Sequence, residues 1–343
     1  MRLVVLVGMI VGTCWLGVAV VMAGGAADAA GPVVLVVNQW DANLSVVDVA
    51  AQKEVATISE GMTEVHGHEV AASPDGKTAY VPIYGSAGVG KPGIDGHEML
   101  VMDIASRMIT GRLDFGKGVR PHCVVYDPVS KLLYVTTELK KSVTIVDPKT
   151  LKVVGEIPTE AEESHMLAIS PDGKRGYTSN VGPGTVSVLD MRARKTIVVI
   201  PVTPGAQRIA VSRDGSMAFT ADQSQPRLAV IDTKTNTVRQ WVTIPSVAYG
   251  TAATLDGKWL VVTMKTGVAA LDLKTMEVVR VMEVPGAPQE VLIAPDGKTA
   301  YVSSMLANER GVVAVIDLGE WKVASLISAG KGADGLAWAG GMK

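Results

Sequence analysis

The ten residues SPDGKTAYVP, Ser73–Pro82, decide the fold because variants of them return along the chain. The stretch joins an Asp-Gly turn, which suits a tight hairpin, to a β-rich segment with one aromatic residue. The variants are DPVSKLLYVT from Asp127, SPDGKRGYTS from Ser170, SRDGSMAFTA from Ser212, TLDGKWLVVT from Thr254 and APDGKTAYVS from Ala294. The aromatic position advances by 54, 43, 42, 42 and 40 residues from copy to copy. A regular period of about 40 residues predicts a repeat architecture.

A second periodic feature gives the number of units. Seven segments rich in Val, Ile and Leu end in aspartate, at Asp48, Asp103, Asp147, Asp190, Asp232, Asp272 and Asp317. We interpret these aspartates as turn residues, because a carboxylate after a strand accepts nearby backbone N–H groups. Each unit then holds strand a before the Asp-Gly turn, strand b with the aromatic residue, strand c ending in aspartate, and strand d. This pattern predicts an all-β, seven-bladed β-propeller of four-stranded antiparallel blades.

The ends of the repeat region predict how the ring closes. The first unit begins at its strand b, VVLVVN from Val33, whereas ADGLAWAGG from Ala333 resembles a spare strand a. We therefore expect the C-terminal strand to complete the N-terminal blade, which removes exposed sheet edges. Residues 31–343 are predicted to form this single propeller domain.

The repeats resemble a known family. The sequences LVVN from Leu35, YVPI from Tyr80, YVTT from Tyr134 and YTSN from Tyr177, with the recurrent SPDGK, are similar to the YVTN-type β-propeller repeat. The resemblance covers nearly all of the chain after the N-terminal apolar segment, and it implies an exported bacterial seven-bladed propeller. Similar propellers occur in quinoprotein dehydrogenase subunits, the haem-d1 domain of a nitrite reductase, copper-binding nitrous oxide reductase and lactonases. The resemblance alone therefore does not choose an activity.

The N-terminus predicts export. Met1-Arg2 is a short positive segment, residues 3–23 are almost wholly apolar, and Ala27-Asp28-Ala29 fits a signal-peptidase site. We predict that residues 1–29 are a signal peptide, cleaved after Ala29 or Ala30. The alternative is an uncleaved anchor, because the apolar run is just long enough to span a bilayer. Either way the remaining chain is predicted to be periplasmic or secreted, with membrane contact only if the segment is retained.

Charge and composition argue against several partners and cofactors. The net charge is -2 and no block of Lys or Arg stands out, which argues against a nucleic-acid partner. Cys123 is the single cysteine after the apolar segment, so the fold is expected to depend on packing rather than on disulfides. No Cys-x-x-Cys-His motif is present, which excludes covalent c-type haem. The tryptophans share no repeat position, which argues against pyrroloquinoline quinone (PQQ).

The histidines share one position of the repeat. Counting 12 residues back from the strand-b aromatic residue leads to His68, His122 and His165 in three consecutive blades. This position begins strand a, which is innermost in a propeller and lines the central channel. We therefore expect the three histidines to rim one mouth of the channel. The same position in the other blades is occupied by Gln207, Tyr249, Gln289 and Asp334.

Other polar residues are expected at the same mouth. His66 lies two residues before His68, which places both side chains on one side of an extended segment. His97 belongs to the insertion of residues 84–98, a glycine-rich b–c loop that opens on this face. Arg120 would add a positive charge. The remaining b–c loops would contribute Asn38, Glu138, Asn180 and Asp222.

Three functions stay open at this point. In the first, the neutral imidazoles of His66, His68, His97, His122 and His165 hold a transition metal, Cu, Zn or Fe. In the second, a histidine acts as general base in metal-free lyase or lactonase chemistry, with Arg120 or Lys91 stabilising an anion. In the third, the channel mouth binds a small molecule, an envelope component or a partner protein without catalysis. In each case the other polar residues of the mouth would contact the ligand.

Overall fold

Residues 31–340 are described by a computed structural model, and the predicted signal peptide of residues 1–29 lies outside the described residues. The described chain is built of β-strands, with two single-turn 3₁₀ helices at Gln39–Asp41 and Glu138–Lys140. None of the helices in this part of the chain has the length and apolar character needed to cross a bilayer.

The strands form seven antiparallel sheets, one per predicted repeat, and each innermost strand lies beside the innermost strand of the next sheet. The predicted seven-bladed propeller is therefore confirmed. In six blades a single strand occupies position a. In blade 2 two short strands replace it, and both pair with the long strand b of that blade.

The strands run in chain order from position a, innermost, to position d, outermost. Blade 1 contains β1 (Val33–Asn38), β2 (Asn43–Asp48) and β3 (Lys53–Ser59). Blade 2 contains β4 (His66–Gly67), β5 (Ala71–Ala72), β6 (Thr78–Gly85), β7 (Glu98–Asp103) and β8 (Met108–Asp114). Blade 3 contains β9 (Pro121–Asp127), β10 (Leu132–Thr137), β11 (Ser142–Asp147) and β12 (Lys152–Pro158). Blade 4 contains β13 (Ser164–Ile169), β14 (Arg175–Asn180), β15 (Thr185–Asp190) and β16 (Lys195–Pro201).

The later blades continue the same order. Blade 5 contains β17 (Ala206–Val211), β18 (Met217–Asp222), β19 (Arg227–Asp232) and β20 (Thr237–Thr243). Blade 6 contains β21 (Ala248–Ala253), β22 (Trp259–Met264), β23 (Gly267–Asp272) and β24 (Glu277–Met282). Blade 7 contains β25 (Ala287–Ile293), β26 (Thr299–Met305), β27 (Val312–Asp317) and β28 (Lys322–Ser328). The last strand, β29 (Ala333–Ala339), returns to blade 1 as its strand a.

The ring closes as the sequence predicts. Strand β29 pairs antiparallel with β1, with Val33 opposite Ala339 and Val36 opposite Leu336. All six residues of β1 are buried, because this strand has neighbours on both edges and both faces. Blade 1 therefore combines the first three strands of the described chain with the last one.

Local polar bonds explain the two features that recur in each repeat. Each aspartate that ends a strand c accepts a backbone N–H group from the next turn; Asp48, for example, accepts from Ala51 N at 2.7 Å. In the first a–b turn, Asp75 accepts the Ser73 hydroxyl and Gly76 has a φ of 69°. Glycine adopts that left-handed conformation without strain. The repeated letters are therefore turn chemistry, as predicted.

The innermost strands are irregular at one shared position, and this irregularity shapes the channel. Register shifts interrupt the pairing of strand a with strand b in each of the six single-strand blades. In blade 3, for example, the shift brackets His122 and Cys123. In blade 2 the strand is broken between Gly67 and Ala71. A bulge places extra residues on one strand and re-aims their side chains, so the strand-a position carries unusual geometry all around the ring.

Candidate functional site

Four histidines and one tyrosine pack together where strands a begin in blades 2 to 4. The rings of His122 and His165 stack with 3.6 Å between centroids, and His68 lies edge-on to His122 at 5.3 Å. His66 stacks on His68 at 5.1 Å. We call His66, His68, His122 and His165 the histidine cluster. Tyr84, at the end of β6, contacts three of them with centroid distances of 4.5 to 6.0 Å.

The histidine cluster closes the channel instead of rimming an open mouth. His68, His122 and His165 are 7%, 2% and 3% exposed, and Tyr84 is fully buried. His66 alone is half-buried. The sequence predicts the shared repeat position of these residues but not their burial, because burial depends on Tyr84 from the insertion filling the space between them.

His165 is held at both ring nitrogens. Its Nδ1 lies 2.5 Å from Glu138 Oε1, and its Nε2 lies 3.2 Å from Gln207 Nε2. Glu138 also accepts the Tyr84 hydroxyl at 3.0 Å, and Gln207 donates to the Tyr249 hydroxyl at 3.2 Å. Because a carboxylate only accepts, His165 carries its proton on Nδ1 and accepts from Gln207 through Nε2. This histidine is therefore oriented by its neighbours and has no free nitrogen.

His122 has the opposite arrangement, with one nitrogen bonded and one free. Its Nδ1 lies 3.2 Å from the backbone oxygen of His165, and a carbonyl oxygen can only accept, so Nδ1 carries the proton. The lone pair of the neutral ring is then on Nε2, which makes no hydrogen bond within residues 31–340. Metal-binding histidines commonly donate their other N–H group to a carbonyl in this way.

Two further nitrogens of the histidine cluster are buried without a partner among residues 31–340, His66 Nδ1 and His68 Nε2. Burial lowers the pKa of His66 below its usual value. Burial lowers the pKa of His68 and of His122 well below the usual value, and the neighbouring imidazoles and Arg208 further disfavour the protonated form of each ring. These three rings are therefore neutral at neutral pH, which is the form that binds a metal ion or accepts a hydrogen bond.

The insertion of residues 84–98 supports this end of the channel through Arg120. Arg120 Nε donates to Asp95 Oδ1 at 2.7 Å, and its guanidinium lies 5.4 Å from the Tyr84 ring centroid. Asp95 is held opposite Gly85 by an isolated bridge. At Gly96 a Cβ would lie 1.8 Å from the backbone oxygen of Ile83, so the close return of the loop requires glycine there.

His97 is not brought to the histidine cluster. It directly precedes β7, and its Nδ1 lies 3.0 Å from Asp114 Oδ1 at the end of β8. Both side chains are exposed, 46% for His97 and 70% for Asp114. The insertion returns through Gly96, so the chain has already left the channel when it reaches His97.

Four other residues predicted for the mouth bond locally instead of to the histidine cluster. Asn180 bonds to side chains of its own blade, including Ser187 at 2.9 Å, and Asn38 does the same with Ser45 at 2.7 Å. Asp222 accepts from Arg227 Nε at 2.8 Å. Gln289 donates to the backbone oxygen of Ala287 at 2.8 Å. Asn38, Asn180 and Asp222 end their strands b, where they are fully buried and hold the following loops.

Arg208 forms the centre of a second polar group, next to the histidine cluster. Its guanidinium contacts Glu69 Oε1 at 2.9 Å, Asp334 Oδ1 at 2.7 Å and Glu290 Oε1 at 3.6 Å. It also lies 5.0 Å from the ring centroid of Tyr249. We call Arg208, Glu69, Glu290 and Asp334 the Arg208 cluster. Gln39 of blade 1 donates to Asp334, which connects the cluster to the closing blade.

The Arg208 cluster is rich in acid and poor in compensating charge. Burial raises the pKa of Glu69 well above its usual value, and it raises those of Glu290 and Asp334. Burial opposes the charge of Arg208, but the neighbouring carboxylates outweigh it and hold its pKa well above the usual value. One permanently charged guanidinium thus faces three carboxyl groups.

The sequence pattern misses Arg208, Glu69 and Glu290 because they stand one residue after the predicted ring position. Regular alternation would turn consecutive side chains to opposite sides. The bulge at this position cancels that rule, so two consecutive residues reach the channel region. The sequence does contain a pattern that could identify these residues. Two polar residues stand side by side at the same point of the repeat in the pairs His68-Glu69, Gln207-Arg208 and Gln289-Glu290.

A cavity of about 620 Å³ lies along the innermost strands. Glu69, Glu290 and Cys123 line its inner part, and Pro74, Pro128 and Pro295 of the a–b turns line its outer part. These three prolines are exposed. The channel is therefore open on the a–b turn face and closed near the histidine cluster.

Within residues 31–340, no three His, Cys, Asp or Glu side chains converge in a geometry that would hold a metal ion as they stand. The histidine cluster therefore offers neutral nitrogens without a preformed coordination sphere. Ion binding there requires side-chain rotation.

Comparison with known sequences agrees with the fold. Residues 26–252 match the family described as "Lactonase, 7-bladed beta-propeller", which is more than half of the chain. The chain is 24% identical over 211 residues to "Uncharacterized protein YncE" of Salmonella typhi, covering 59% of this chain and 60% of that protein. It is 26% identical over 192 residues to the protein of the same name from Escherichia coli strain K12, covering 54% of each chain. The chain thus spans less than two thirds of the length of these curated relatives.

Solved structures show the same architecture. Hydrazine synthase of Kuenenia stuttgartiensis is 25% identical with a TM-score of 0.54, covering 59% of this chain and 64% of that chain. The dihydro-heme d1 dehydrogenase NirN in complex with DHE is 15% identical with a TM-score of 0.60, covering 89% of this chain and 74% of that chain; this likeness shows the fold alone. From its repeats, its closed ring of seven blades and the family match, the chain belongs to the lactonase-type seven-bladed β-propeller family.

Proposed function

We propose that this protein is an exported propeller that binds a divalent transition-metal ion, Zn or Cu, through His66, His68 and His122. The observation that carries the proposal is the set of neutral imidazole nitrogens without partners at one point of the fold. They are His66 Nδ1 and His68 Nε2, both buried, and the lone-pair nitrogen of His122. Buried polar atoms are almost always satisfied, so such a group calls for a ligand.

The spacing of the rings supports the proposal. The centroid of His68 lies 5.1 Å from that of His66 and 5.3 Å from that of His122. Two imidazoles that share one Zn ion, with Zn–N bonds of about 2.0 Å at a tetrahedral angle, have ring centres roughly 5 Å apart. The proposal requires rotation of the side chains about χ1 and χ2 to direct the nitrogens to a common ion, because the described side chains do not converge as they stand.

His165 and Glu138 have supporting positions in this proposal. His165 supplies the backbone oxygen that fixes the proton of His122 on Nδ1, and Glu138 fixes the ring of His165. Such outer contacts orient a ligand and raise its basicity. A role for His165 as general base in lactone hydrolysis has less support, because both of its ring nitrogens are already bonded.

Metal binding to the protein purified from the periplasm tests the proposal. We expect about one Zn or Cu ion per chain by elemental analysis, and a rise in unfolding temperature when Zn²⁺ is added to metal-free protein. His68→Ala should weaken Zn²⁺ binding by more than about 100-fold, beyond the range of outer contacts. His97→Ala is the matched control, because His97 is exposed and pairs with Asp114.

Two outcomes contradict the proposal. Equal Zn²⁺ affinity in wild type and His68→Ala would place any bound ion elsewhere. Absence of binding to folded wild-type protein, measured with both Zn²⁺ and Cu²⁺, would remove metal as the ligand. Recovery of the protein only from the cytoplasm, with residues 1–29 attached, would contradict export.

A further inference from the structure

We infer that the 620 Å³ cavity is a second binding site, for an organic ammonium compound that enters from the a–b turn face. Its ammonium group would lie against Glu69 and Glu290, and its hydrocarbon part along the apolar wall. The site is separate from the proposed metal site, because Glu69 and Glu290 line the cavity and the histidines do not.

The charge balance of the Arg208 cluster is the first argument. Asp334 is fully engaged, since one oxygen accepts from Arg208 at 2.7 Å and the other accepts from Gln39. Glu290 lies 3.6 Å from the guanidinium, and 22% of its side chain is exposed. Glu290 Oε2 accepts the Leu336 N–H group at 2.6 Å, whereas Oε1 has the distant guanidinium as its nearest cationic partner. Glu290 also lines the cavity. Burial alone disfavours the ionised forms of Glu69 and Glu290, and a cation in the cavity would stabilise those forms.

Unpartnered atoms are the second argument, and they are independent of the count of charges. Glu69 is 3% exposed, and its Oε1 accepts no hydrogen bond although the Arg208 guanidinium lies 2.9 Å away. The contact is therefore an ion pair in which no N–H group of Arg208 points at the Glu69 oxygen. A carboxylate oxygen that is buried and free to accept suits an N–H donor of a bound ammonium group.

The wall of the cavity indicates the chemistry of the part of the ligand that lies outside the ammonium group. Apolar side chains from six blades line it, among them Val70, Val124, Leu167, Ile209, Leu292 and Leu336. A pocket with an apolar wall and a few polar groups at one end favours an amphipathic ligand. An alkylammonium ion therefore fits both the carboxyl groups at the inner end and the apolar wall. A hydrated inorganic cation would leave the wall without a partner.

Calorimetry with n-butylammonium as the probe tests the inference, with n-butanol as the neutral control of similar shape. We expect n-butylammonium to bind to wild type and n-butanol to bind at least about tenfold more weakly, because the alcohol has no charge-assisted bond. Glu290→Gln should weaken n-butylammonium binding by about tenfold or more. His97→Ala should leave it unchanged, because His97 is exposed and pairs with Asp114. The titration is done on metal-free protein, so failure of the metal proposal would not affect this result.

Three results would overturn the inference. The first is equal affinity for n-butanol and n-butylammonium in wild type, a comparison that needs no variant. The second is unchanged affinity in folded Glu290→Gln. The third is K⁺ binding at least as tight as n-butylammonium binding at fixed ionic strength, which would indicate an inorganic cation site.

Discussion

At the scale of single residues, Glu60 is the buried group with the clearest consequence for stability. It follows β3 of blade 1, it is fully buried, and its Oε2 accepts the Gly67 N–H group at 3.1 Å. Its Oε1 has no partner within the described chain. Burial raises the pKa of Glu60 from 4.5 to about 7. The folded protein thus favours the protonated form, and ionisation of Glu60 opposes folding.

Glu60→Gln should therefore change the pH dependence of stability. Because the folded pKa of about 7 exceeds 4.5, the free energy of unfolding of wild type falls as pH rises between those values. At pH values above the folded pKa, the free energy of unfolding is about 3 kcal/mol lower than at low pH. Glutamine keeps the acceptor for Gly67 and cannot ionise, so the variant should gain stability at pH 8 and little at pH 4.5.

Chemical denaturation at both pH values measures this gain. Glu64→Gln is the matched control, because Glu64 lies in the same loop and is exposed. An equal change in both variants, or no gain in Glu60→Gln at pH 8, would contradict the assignment of the raised pKa to burial of Glu60.

At the scale of the strand, hydroxyl groups of strand b hold the bulges of strand a. Thr136 accepts from Cys123 N at 2.9 Å and donates to the backbone oxygen of His165 at 2.9 Å. Thr263 does the same between Gly250 and Gln289, each at 2.6 Å. Each such hydroxyl connects a bulge to the strand a of the next blade. This explains a hydroxyl residue at the third position of YVTT in chemical terms.

Thr136→Val should loosen the bulge that carries His122 and His165. Valine has the same shape but leaves the Cys123 N–H and the His165 oxygen without this partner in a buried place. We expect a loss of about 1–3 kcal/mol in the free energy of unfolding. Thr57→Val is the control, because Thr57 is exposed on the outermost strand β3. Equal stability of the two variants by denaturant titration would show that the hydroxyl has no such role.

At the scale of the whole molecule, the ring depends on the pairing of β29 with β1. Val34 to Val37 are fully buried, and β29 covers the free edge of β1. Without β29 the innermost edge of blade 1 presents unpaired N–H and C=O groups beside an apolar surface. Such an edge is a template for association with other chains.

A chain that ends after Gly332 should therefore aggregate or unfold at a lower temperature. Deletion of residues 341–343 alone is the control, because β29 then stays intact. Size-exclusion chromatography and thermal unfolding measure the difference. A monomeric truncated protein with the unfolding temperature of wild type would mean that blade 1 is stable with three strands.

The propeller could be predicted from the sequence because the repeated motifs are turn motifs. The residues that favour a turn are adjacent in sequence, so such motifs can be read without the structure. The 12-residue offset likewise identifies the shared position of His68, His122 and His165, since a constant repeat fixes a constant place in each blade. The contacts of Tyr84, Arg208 and Glu138 could not be predicted, because they depend on the bulges and on the path of the insertion. His97 illustrates the same limit. The sequence predicts the loop that carries His97, but the backbone conformation near Gly96 determines where His97 lies.

The closing pair has a kinetic consequence. Val36 and Leu336 are partners in adjacent strands although about three hundred residues separate them. Contacts so distant in sequence form slowly, because a long loop must close before they stabilise the fold. Blades 2 to 7 are each continuous in sequence and can assemble as the chain becomes available, whereas blade 1 must wait for β29. A folding intermediate with six complete blades and an open ring is therefore expected, and its lifetime sets the period in which the chain is exposed to misassembly.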